Sequence, residues 1–365
     1  REDFLKLCRE TIEEYTQEMK RTAKRVGLSC DFDKEYYTDS SEYRTITQSI
    51  FVDLFKKGEI IEDLRPNIYD PIEETTIADA EVQRISRKTK ICDVKWMTED
   101  NEEIIITTTR PEMICACGVV VVHPDDTRYT NLIGKNIFLP IDVNDRSKSV
   151  KILSHPSVKM NFGSGVLMVC SFGDQNDVSI FRELDLKPFQ AINLEGKMTS
   201  IGGPLAGLTV LEARSKAIEI LSDNNSISEI HDHIQDIPVS ERGNNPVEII
   251  LLKEWYVKQT HVQDRLRVLS GQSRIIPERN RQLLHDWMDG ISIDWPISRR
   301  RWYHTEIPIW YSEDETKIIV PPSGIYVQPW KDNPPKGSEV LDRETREFMG
   351  LYDPKSSNLG KIKGE

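Results

Sequence analysis

Cysteine is scarce in this chain of 365 residues, which contains six cysteines spread over its length. They are too few and too scattered for a disulfide scaffold, and none of them forms a C-x-x-C pair of the kind that common thiolate zinc motifs use. Cys115 and Cys117 flank a single alanine, but alternate positions on a strand share one face as ordinary packing residues. We therefore expect a reduced protein with no metal site.

Long hydrophobic runs are also absent. No stretch approaches the roughly 18 apolar residues that a membrane span needs, and the N-terminal Arg1-Glu2-Asp3 has none of the features of a secretory signal. Hydrophobic residues make up 38% of the chain and low-complexity segments are few, which predicts two or three globular domains. The expected location is the cytoplasm, without a membrane partner.

An excess of positive charge is missing as well, since the formal net charge is −12. A general electrostatic grip on nucleic acid comes from Lys and Arg that neutralise phosphates, so DNA is not an expected partner. The exception is local, because six arginines fall within one short region: Arg274, Arg279, Arg281, Arg299, Arg300 and Arg301. Such a patch is typical of a protein that binds RNA locally.

The beginning and the end of the chain have helical patterns. Apolar residues recur at three- and four-residue steps in residues 1–26 and 41–57, and Gly27 and Gly58 follow as helix stops. The same reasoning predicts helices over 251–269 and 277–288, with Pro277 at the first helical position. Residues 64–83 are rich in prolines and acids and indicate a linker, while 291–298 predict a strand and the tail beyond Pro321 is expected to be irregular.

The middle of the chain has a β pattern. Short strands separated by turn residues are predicted at 91–97, 104–109, 118–122, 136–141, 149–153, 165–170 and 189–194. Helices are predicted at 177–184 and at 209–221, where Thr209 and Glu212 form a capping box. Regular short strands favour a barrel or a strongly bent sheet. The fold class is therefore α/β, with a β-barrel-like insertion between helical segments.

Two stretches combine strand-forming residues with a polar turn. The first is 104–112, which ends Thr107-Thr108-Thr109-Arg110-Pro111-Glu112 and precedes Val119-Val120-Val121-Val122 and His123-Pro124. The second is 161–177, which reads Asn-Phe-Gly-Ser-Gly before an apolar strand and Gly-Asp-Gln-Asn-Asp after it. Two buried strands of this kind would bring hydroxyls, backbone N–H groups and two carboxylates to one rim. This is the outline of a pocket.

These motifs resemble the editing insertion of the class I aminoacyl-tRNA synthetases for valine, isoleucine and leucine. The flanking segments 75–82 and 294–302 are similar to those on either side of that insertion, and 170–177 is most similar to archaeal-type valyl enzymes. The resemblance implies a Rossmann-like catalytic domain in 1–84, an editing domain in 85–240, and a returning catalytic segment with a tail in 241–365. An isoleucyl or leucyl enzyme, or a paralogue that binds tRNA without charging it, is the alternative.

The resemblance also implies an internal piece of a larger ligase. Neither a HIGH-type nor a KMSKS-type segment is recognised in the 365 residues, so we expect no aminoacyl adenylate to form on them. ATP and Mg²⁺ would serve the parent enzyme, and this piece would need no cofactor. Zinc-binding cysteines that relatives carry after a Trp-Tyr pair are replaced here by Ser312-Glu313-Asp314-Glu315. The implied partners are tRNA(Val) and its threonyl- or valyl-adenosine end, bound by a monomer.

By resemblance, Asp177 holds the free α-ammonium of the misattached amino acid, for which a carboxylate forms a charge-assisted hydrogen bond. Asp174 would bind the threonine hydroxyl or share the ammonium. The alternative is that both aspartates cap the helix that begins near Asp177. The family insertion hydrolyses a mischarged ester because an apolar pocket cannot strongly reject a substrate that exchanges a methyl for a hydroxyl.

Further candidates line the expected pocket. Thr108 and Thr109 would face the adenosine and the carbonyl, and Arg110 would bind phosphate or pair with Glu112. The Phe162-Gly163-Ser164-Gly165 loop would approach the ribose, with glycines that let the backbone come close and with Phe162 stacked on adenine. Met113, Met168 and the stretch from Cys170 favour a valine enzyme. No Ser–His–Asp or Cys–His set is evident in the sequence, so water is expected to attack the ester, and Cys170 is expected to be inert packing.

The returning segment supplies the last candidates. Trp302 resembles a residue that lines the valine pocket of the synthetic site, with core packing as the alternative. Arg299, Arg300 and Arg301 are the expected tRNA contacts. His231 and His233 have weak metal spacing, and a solvated loop is the preferred interpretation.

Overall fold

The computed structural model describes residues 1–144, 147–291, 294–355 and 359–364. Its helices are α1 Glu2–Arg25, α2 Ser41–Lys56, α3 Gln175–Glu183, α4 Val210–Asp223, α5 Gln263–Gln272 and α6 Asn280–Gly290. The first ten strands are β1 Ile60–Asp70, β2 Thr75–Thr76, β3 Val82–Thr98, β4 Glu103–Thr108, β5 Cys117–Val122, β6 Asn136–Phe138, β7 Ser149–Ser154, β8 Val166–Cys170, β9 Ile227–Ser240 and β10 Glu248–Val257. The remaining strands are β11 Trp295–Pro296, β12 Trp310–Tyr311, β13 Lys317–Val320, β14 Glu339–Asp342, β15 Phe348–Leu351 and β16 Lys363–Gly364.

The chain divides into two compact units. Unit 1 consists of Arg1–Asp63 and Glu254–Glu365, and unit 2 of Leu64–Lys253. The boundaries fall inside β1 and β10, which carry the chain out of unit 1 and back. None of the helices in the described ranges combines the length and the hydropathy that a membrane crossing requires.

Unit 2 is built on a curled sheet. Its strand order is β4-β3-β6-β7-β5-β8, with β9 also paired to β3. The β5–β7 pair is parallel, and the other pairs in this sheet are antiparallel. The terminal strands β4 and β8 contact each other, so the sheet bends round towards closure. Apolar side chains fill its interior, and α4 covers them with Ala213, Ala217 and Leu221.

Unit 1 combines helices with small antiparallel sheets. Strands β12 to β16 form a five-stranded sheet in the order β15-β14-β13-β12-β16. Phe51 and Phe55 of α2 pack edge-on against the fully buried Trp255, with ring centroids 5.3 and 5.9 Å away. Such aromatic pairs stabilise a core beyond the area that they bury.

The predicted fold class is confirmed, because the chain is a mixed α/β protein with a barrel-like sheet. The helices predicted over 1–26, 41–57, 177–184 and 209–221 are α1 to α4, and Thr209 and Glu212 form the predicted capping box. Six of the seven predicted strands are present as β3 to β8. The exception is 189–194, where a single bridge joins Ile192 to Met198.

The predicted linker over 64–83 is wrong. Strand β1 runs to the fully buried Asp70, whose carboxylate accepts hydrogen bonds from the Ser240 hydroxyl at 2.7 Å and the Asn245 amide at 3.1 Å. Burial would raise the pKa of Asp70, but these hydrogen bonds hold it below its usual value. An acid that suggests a loop by composition is thus buried in a strand, because partners about 170 residues away satisfy it.

The C-terminal predictions were less accurate. Residues 248–257 form β10 and not the start of a helix, because alternate side chains are buried, and α5 begins only at Gln263. Helix α6 begins at Asn280, so Pro277 is not its first residue. The strand predicted over 291–298 is limited to Trp295–Pro296, and Ser292 and Ile293 lie outside the described residues. The tail beyond Pro321 contains β14 to β16.

The predicted acidic loop around His231 is also wrong, since both histidines lie in β9. This polar strand pairs with β3 over thirteen positions, from Val82 opposite Ser240 to Val94 opposite Ile227. Residues 228–232 of β9 are all exposed, so both faces of this part of the strand are open to solvent. It has no hydrophobic alternation for a sequence pattern to detect, and the partner strand stabilises it.

Candidate functional site

The two aspartates have different positions at the start of α3. Asp174 is the N-cap, and its Oδ1 accepts the backbone N–H of Asp177 at 2.8 Å. The Asp177 side chain turns back to β8, where Oδ2 accepts the N–H of Cys170 at 3.1 Å. Asp174 is exposed and Asp177 half-buried. The capping alternative therefore describes Asp174, while Asp177 joins the start of the helix to the end of the strand.

The environment of Asp177 disfavours its charged form. Burial and, after it, the nearby Asp174 raise the pKa of this carboxyl to about 8, although the Cys170 N–H and Arg110 act in the opposite direction. The carboxyl is therefore mostly protonated at neutral pH in the absence of a cation. A methyl group on Gly173 would collide with this carboxylate, so the Gly-Asp turn lies directly against it.

Arg110 belongs to a buried charge network and not to an open phosphate site. Its guanidinium donates to Glu112 at 3.0 Å, to Glu248 at 2.8 Å and to the Gly173 carbonyl at 3.1 Å. Glu112 is fully buried and also accepts two hydrogen bonds from Arg214, at 2.8 and 3.0 Å. The second alternative for Arg110, a pair with Glu112, is what the structure contains.

The network keeps the Glu112 carboxylate and the Arg110 guanidinium charged. Burial would raise the pKa of Glu112, but the hydrogen bond from Arg214 and the charges of both arginines keep it below the usual value. Burial would likewise lower the pKa of Arg110, and Glu248 and Glu112 outweigh it. Sequence analysis missed Arg214 and Glu248, because α4 and β10 lie far along the chain and neither position carries a motif. The network ties three segments, residues 110–112, α4 and β10, to the turn before Asp177.

Two threonine hydroxyls at the end of β4 make different contacts. Thr107 donates its hydroxyl to Asp93 at 2.6 Å, and Thr108 accepts the N–H of Arg110 at 3.0 Å. Successive strand residues point to opposite faces, so Thr108 is buried while Thr107 lies against the loop at Gly163. Thr109 is half-buried. Thr107 is thus the hydroxyl on the loop side, one residue before the predicted pair.

The loop 162–165 is held through contacts to its own backbone. A Cβ on Gly163 would lie 2.7 Å from the Thr107 hydroxyl, and its φ of +54° is strained for other residues. The Tyr129 hydroxyl donates to the Ser164 carbonyl at 2.8 Å. Phe162 is 62% exposed and Gly165 is buried, and both line a cavity of about 150 Å³. Phe162 is therefore not a core residue and its ring is accessible.

The sulfur-containing candidates lie in the core. Met113, Met168 and Cys170 are all buried in the main hydrophobic cluster of unit 2. The Cys170 thiol donates to the Met113 carbonyl at 3.3 Å, and burial raises its pKa well above the usual range. A protonated, buried thiol is a poor nucleophile. Of the three, Cys170 adjoins Asp177, because its backbone N–H donates to the Asp177 carboxyl.

The returning segment lies in unit 1. Arg299 donates to the carbonyls of Pro296 and Ser298 at 3.0 and 2.7 Å, and Arg300 pairs with the buried Glu254 at 3.1 Å. Trp302 is 56% exposed and contacts Phe4 edge-on at 5.7 Å, so it is not a core residue. Two of the three predicted tRNA contacts thus already have structural partners. Arg301 is half-buried.

One group of potential metal ligands lies on the β3–β9 ribbon. The ligand atoms of Asp93, Glu229 and His231 lie within 4.8 Å of one another. Asp93 already accepts the Thr107 hydroxyl, and the His231 ring is 2.9 Å from Glu229. The contacts within the group account for its arrangement.

Comparison with known proteins places these features in a family. The family described as tRNA synthetases class I (I, L, M and V) matches residues 1–356. The valine–tRNA ligase of Nanoarchaeum equitans is 41% identical over 349 residues, which cover 95% of this chain and 46% of that protein. Those of Aeropyrum pernix and Pyrobaculum aerophilum are each 38% identical, over 98% and 97% of this chain and 44% and 45% of theirs.

The chain spans slightly less than half the length of these curated relatives. The family match extends through both compact units, and it includes the turn with the two aspartates and the arginine segment of unit 1. The chain therefore belongs to the class I tRNA synthetases for isoleucine, leucine, methionine and valine.

Proposed function

We propose that this chain is part of a valine–tRNA ligase and that unit 2 hydrolyses the ester of mischarged threonyl-tRNA(Val). The relatives named as valine–tRNA ligases favour valine over isoleucine or leucine. In this proposal, 85–240 is the editing domain, and 1–84 and 241–365 belong to the catalytic domain. The observation that carries the proposal is the pair of carboxyls at the start of α3, in a turn that the Arg110–Gly173 hydrogen bond joins to the segment after β4.

The α-ammonium of the substrate would bind Asp177. A cation beside a carboxyl lowers its pKa, so the bound substrate would convert a mostly protonated Asp177 into a carboxylate and release a proton. Asp174 is exposed and has a second oxygen free of its capping bond for the threonine hydroxyl. In this proposal, the buried Met168, Met113 and Cys170 supply the apolar wall of the pocket.

Hydrolysis would proceed by direct attack of water on the ester carbonyl. Thr108 uses an oxygen lone pair for the Arg110 N–H and keeps its O–H as a donor towards water or the carbonyl. Thr109 is half-buried beside it. Phe162 and the Gly163-Ser164-Gly165 backbone would hold the terminal adenosine, aligning the ester with the water.

ATP and Mg²⁺ belong to amino-acid activation by the whole ligase. The 365 residues contain no recognised HIGH-type or KMSKS-type segment, so they do not by themselves fit an ATP site. In the proposal, Trp302 contributes to the valine pocket of that larger domain, and the tRNA contacts Arg299, Arg300 and Arg301. A non-charging tRNA-binding paralogue would lack the hydrolysis described above, and the following experiment distinguishes it.

The test is release of amino acid from threonyl-tRNA(Val), with valyl-tRNA(Val) and isoleucyl-tRNA(Ile) alongside. We expect threonine to be released selectively, and Asp177→Ala to abolish release because the ammonium loses its counter-charge. Asp223→Asn, an exposed carboxylate at the end of α4, is the matched control. No release by the folded wild type from any of the three substrates, or full release by Asp177→Ala, would overturn the proposal.

A further inference from the structure

Three side chains that the proposed editing reaction does not use meet at the end of β7. The Nδ1 atom of His155 lies 2.6 Å from the Ser157 hydroxyl, and its Nε2 lies 3.0 Å from the Glu183 carboxylate. The imidazole is buried, whereas Ser157 is exposed. A hydroxyl within hydrogen-bond reach of a base, with that base oriented by a third group, is the arrangement of an activated nucleophile.

The hydrogen bonds also select the tautomer that a base requires. A carboxylate only accepts, so the Nε2 atom of His155 carries the hydrogen that Glu183 receives. The Nδ1 atom is then the acceptor. The Ser157 hydroxyl and the Ser157 backbone N–H, at 3.3 Å, both point at it. Nδ1 is therefore placed to take the Ser157 proton.

A neighbouring turn shows which of these contacts the backbone itself needs. Strands β5 and β7 run parallel, and each is followed by a His-Pro pair. After β5, the Nδ1 atom of His123 accepts the backbone N–H of Asp125 at 3.1 Å. The same turn thus forms without a serine hydroxyl on the imidazole. The Ser157 hydroxyl contact and the Glu183 contact are additions specific to the second turn.

Ser157 opens onto a space that fits a small substrate. It lines the cavity of about 150 Å³, together with Thr107, Val158, Lys159, Phe162, Gly165, Val166 and Leu167. Most of this lining is apolar, and a cavity of this volume holds a molecule of about six heavy atoms. The cavity contacts the beginning of β8, whereas Asp177 binds the N–H at its end. At a rise of about 3.3 Å per residue, the two places are about 10 Å apart.

We propose that Ser157 is the nucleophile of a second ester-hydrolysing site, which accepts small uncharged carboxylic esters. The Ser157 oxygen bonds to the ester carbonyl carbon while its proton passes to Nδ1 of His155. The carbon–alkoxide bond then breaks, and the leaving alcohol takes that proton. Water attacks the acyl-serine, gives a proton to Nδ1, and releases the carboxylic acid as Ser157 recovers its hydrogen. This site goes beyond the proposed editing reaction, because its chemistry needs neither Asp177 nor tRNA. Its cavity shares Phe162 and Gly165 with the surface proposed to hold the adenosine of the editing substrate.

The experiment uses the full chain with two probes. A fluorophosphonate reagent, followed by peptide mass spectrometry, should modify Ser157. With p-nitrophenyl acetate, whose acetyl group fits the cavity, we expect a burst of p-nitrophenol followed by slow turnover. Ser157→Ala should abolish both signals, and His155→Gln should slow acylation by about 100-fold or more, as loss of a general base does. Glu183→Gln should slow it by a smaller factor.

Matched variants separate the proposed site from other chemistry. Ser179→Ala removes an exposed serine of α3, and His123→Gln alters the neighbouring turn, so both should react as the wild type does. Asp177→Ala should keep the labelling even where it abolishes threonine release. The proposal is overturned if Ser157 is not modified, or if it is modified as fast in His155→Gln. Because Glu183 is largely exposed, Glu183→Gln keeps the test available if the His155 variant does not fold.

Discussion

At the scale of single residues, the Asp177 carboxyl combines a proposed functional role with a cost in stability. Its folded pKa of about 8 lies above the ordinary value of 3.8, because burial and Asp174 disfavour the charge. Between pH 3.8 and about 8, the folded state therefore holds a proton that the unfolded state has lost. The contribution of Asp177 to stability is fully present below about pH 4 and is lost as the pH rises through 8.

A neutral amide at this position should remove that pH dependence. Asp177→Asn keeps the shape and can still accept the Cys170 N–H, so we expect its melting temperature to exceed that of the wild type increasingly between about pH 4 and 8. Thermal melts across this range, with Asp223→Asn as a control, measure the difference. A constant difference at every pH would contradict the assigned pKa.

At the scale of structural elements, the network of Arg110, Glu112, Arg214 and Glu248 links α4 and β10 to the turn before α3. Arg214→Gln should lower the unfolding free energy by about 2–3 kcal/mol, because charged hydrogen bonds to a buried carboxylate are lost. Lys216→Gln, on the same helix in an exposed pair, should change it by less than about 1 kcal/mol. Chemical denaturation of both variants tests this, and equal losses would refute it.

The loop at Gly163 gives a second prediction at this scale. Gly163→Ala combines a positive φ with a Cβ only 2.7 Å from the Thr107 hydroxyl, whereas Gly207 has a positive φ and no neighbour within 4 Å. Gly207→Ala should cost about 1–2 kcal/mol through the backbone alone. Gly163→Ala should cost more, because Thr107 must move as well. Denaturation midpoints compare the two, and a smaller loss at Gly163 would show that the loop yields without cost.

At the scale of the whole molecule, the net charge of −12 limits how strongly phosphate can be held. Arg299 donates to backbone carbonyls and Arg300 pairs with a carboxylate, so both side chains are already engaged within unit 1. We therefore choose the half-buried Arg301 as the predicted tRNA contact to test. Arg301→Gln should weaken tRNA binding and reduce the salt slope by about 1. Arg300→Gln should mainly lower stability, since it removes a partner of the buried Glu254.

Binding isotherms at about 50 and 200 mM salt measure both effects. Unchanged affinity of Arg301→Gln at the lower salt concentration would refute the predicted contact. A loss of tRNA affinity by Arg300→Gln without a lower melting temperature would show that Arg300 binds tRNA in spite of its ion pair.

The sequence by itself determined the α/β class, the helices α1 to α4, the strands β3 to β8 and the motif segments, because these depend on local periodicity, caps and short ordered patterns. It did not determine β1, β9 and β10. Asp70 in β1 is satisfied by Ser240 and Asn245, and the polar β9 is stabilised by pairing with β3. Their conformation depends on partners far along the chain, which local propensity does not contain.

The same distinction applies to the candidate site. Sequence patterns singled out Asp174 and Asp177 as candidates, but only the tertiary structure decided that one caps α3 while the half-buried carboxyl of the other accepts the Cys170 N–H of β8. The curled sheet and α4 also bring Arg214 to Glu112, and α3 brings Glu183 to His155, across about 100 and 28 residues. Charges and hydrogen-bond partners act over a few ångströms in space, so the roles of these side chains follow from the packing of the elements that carry them.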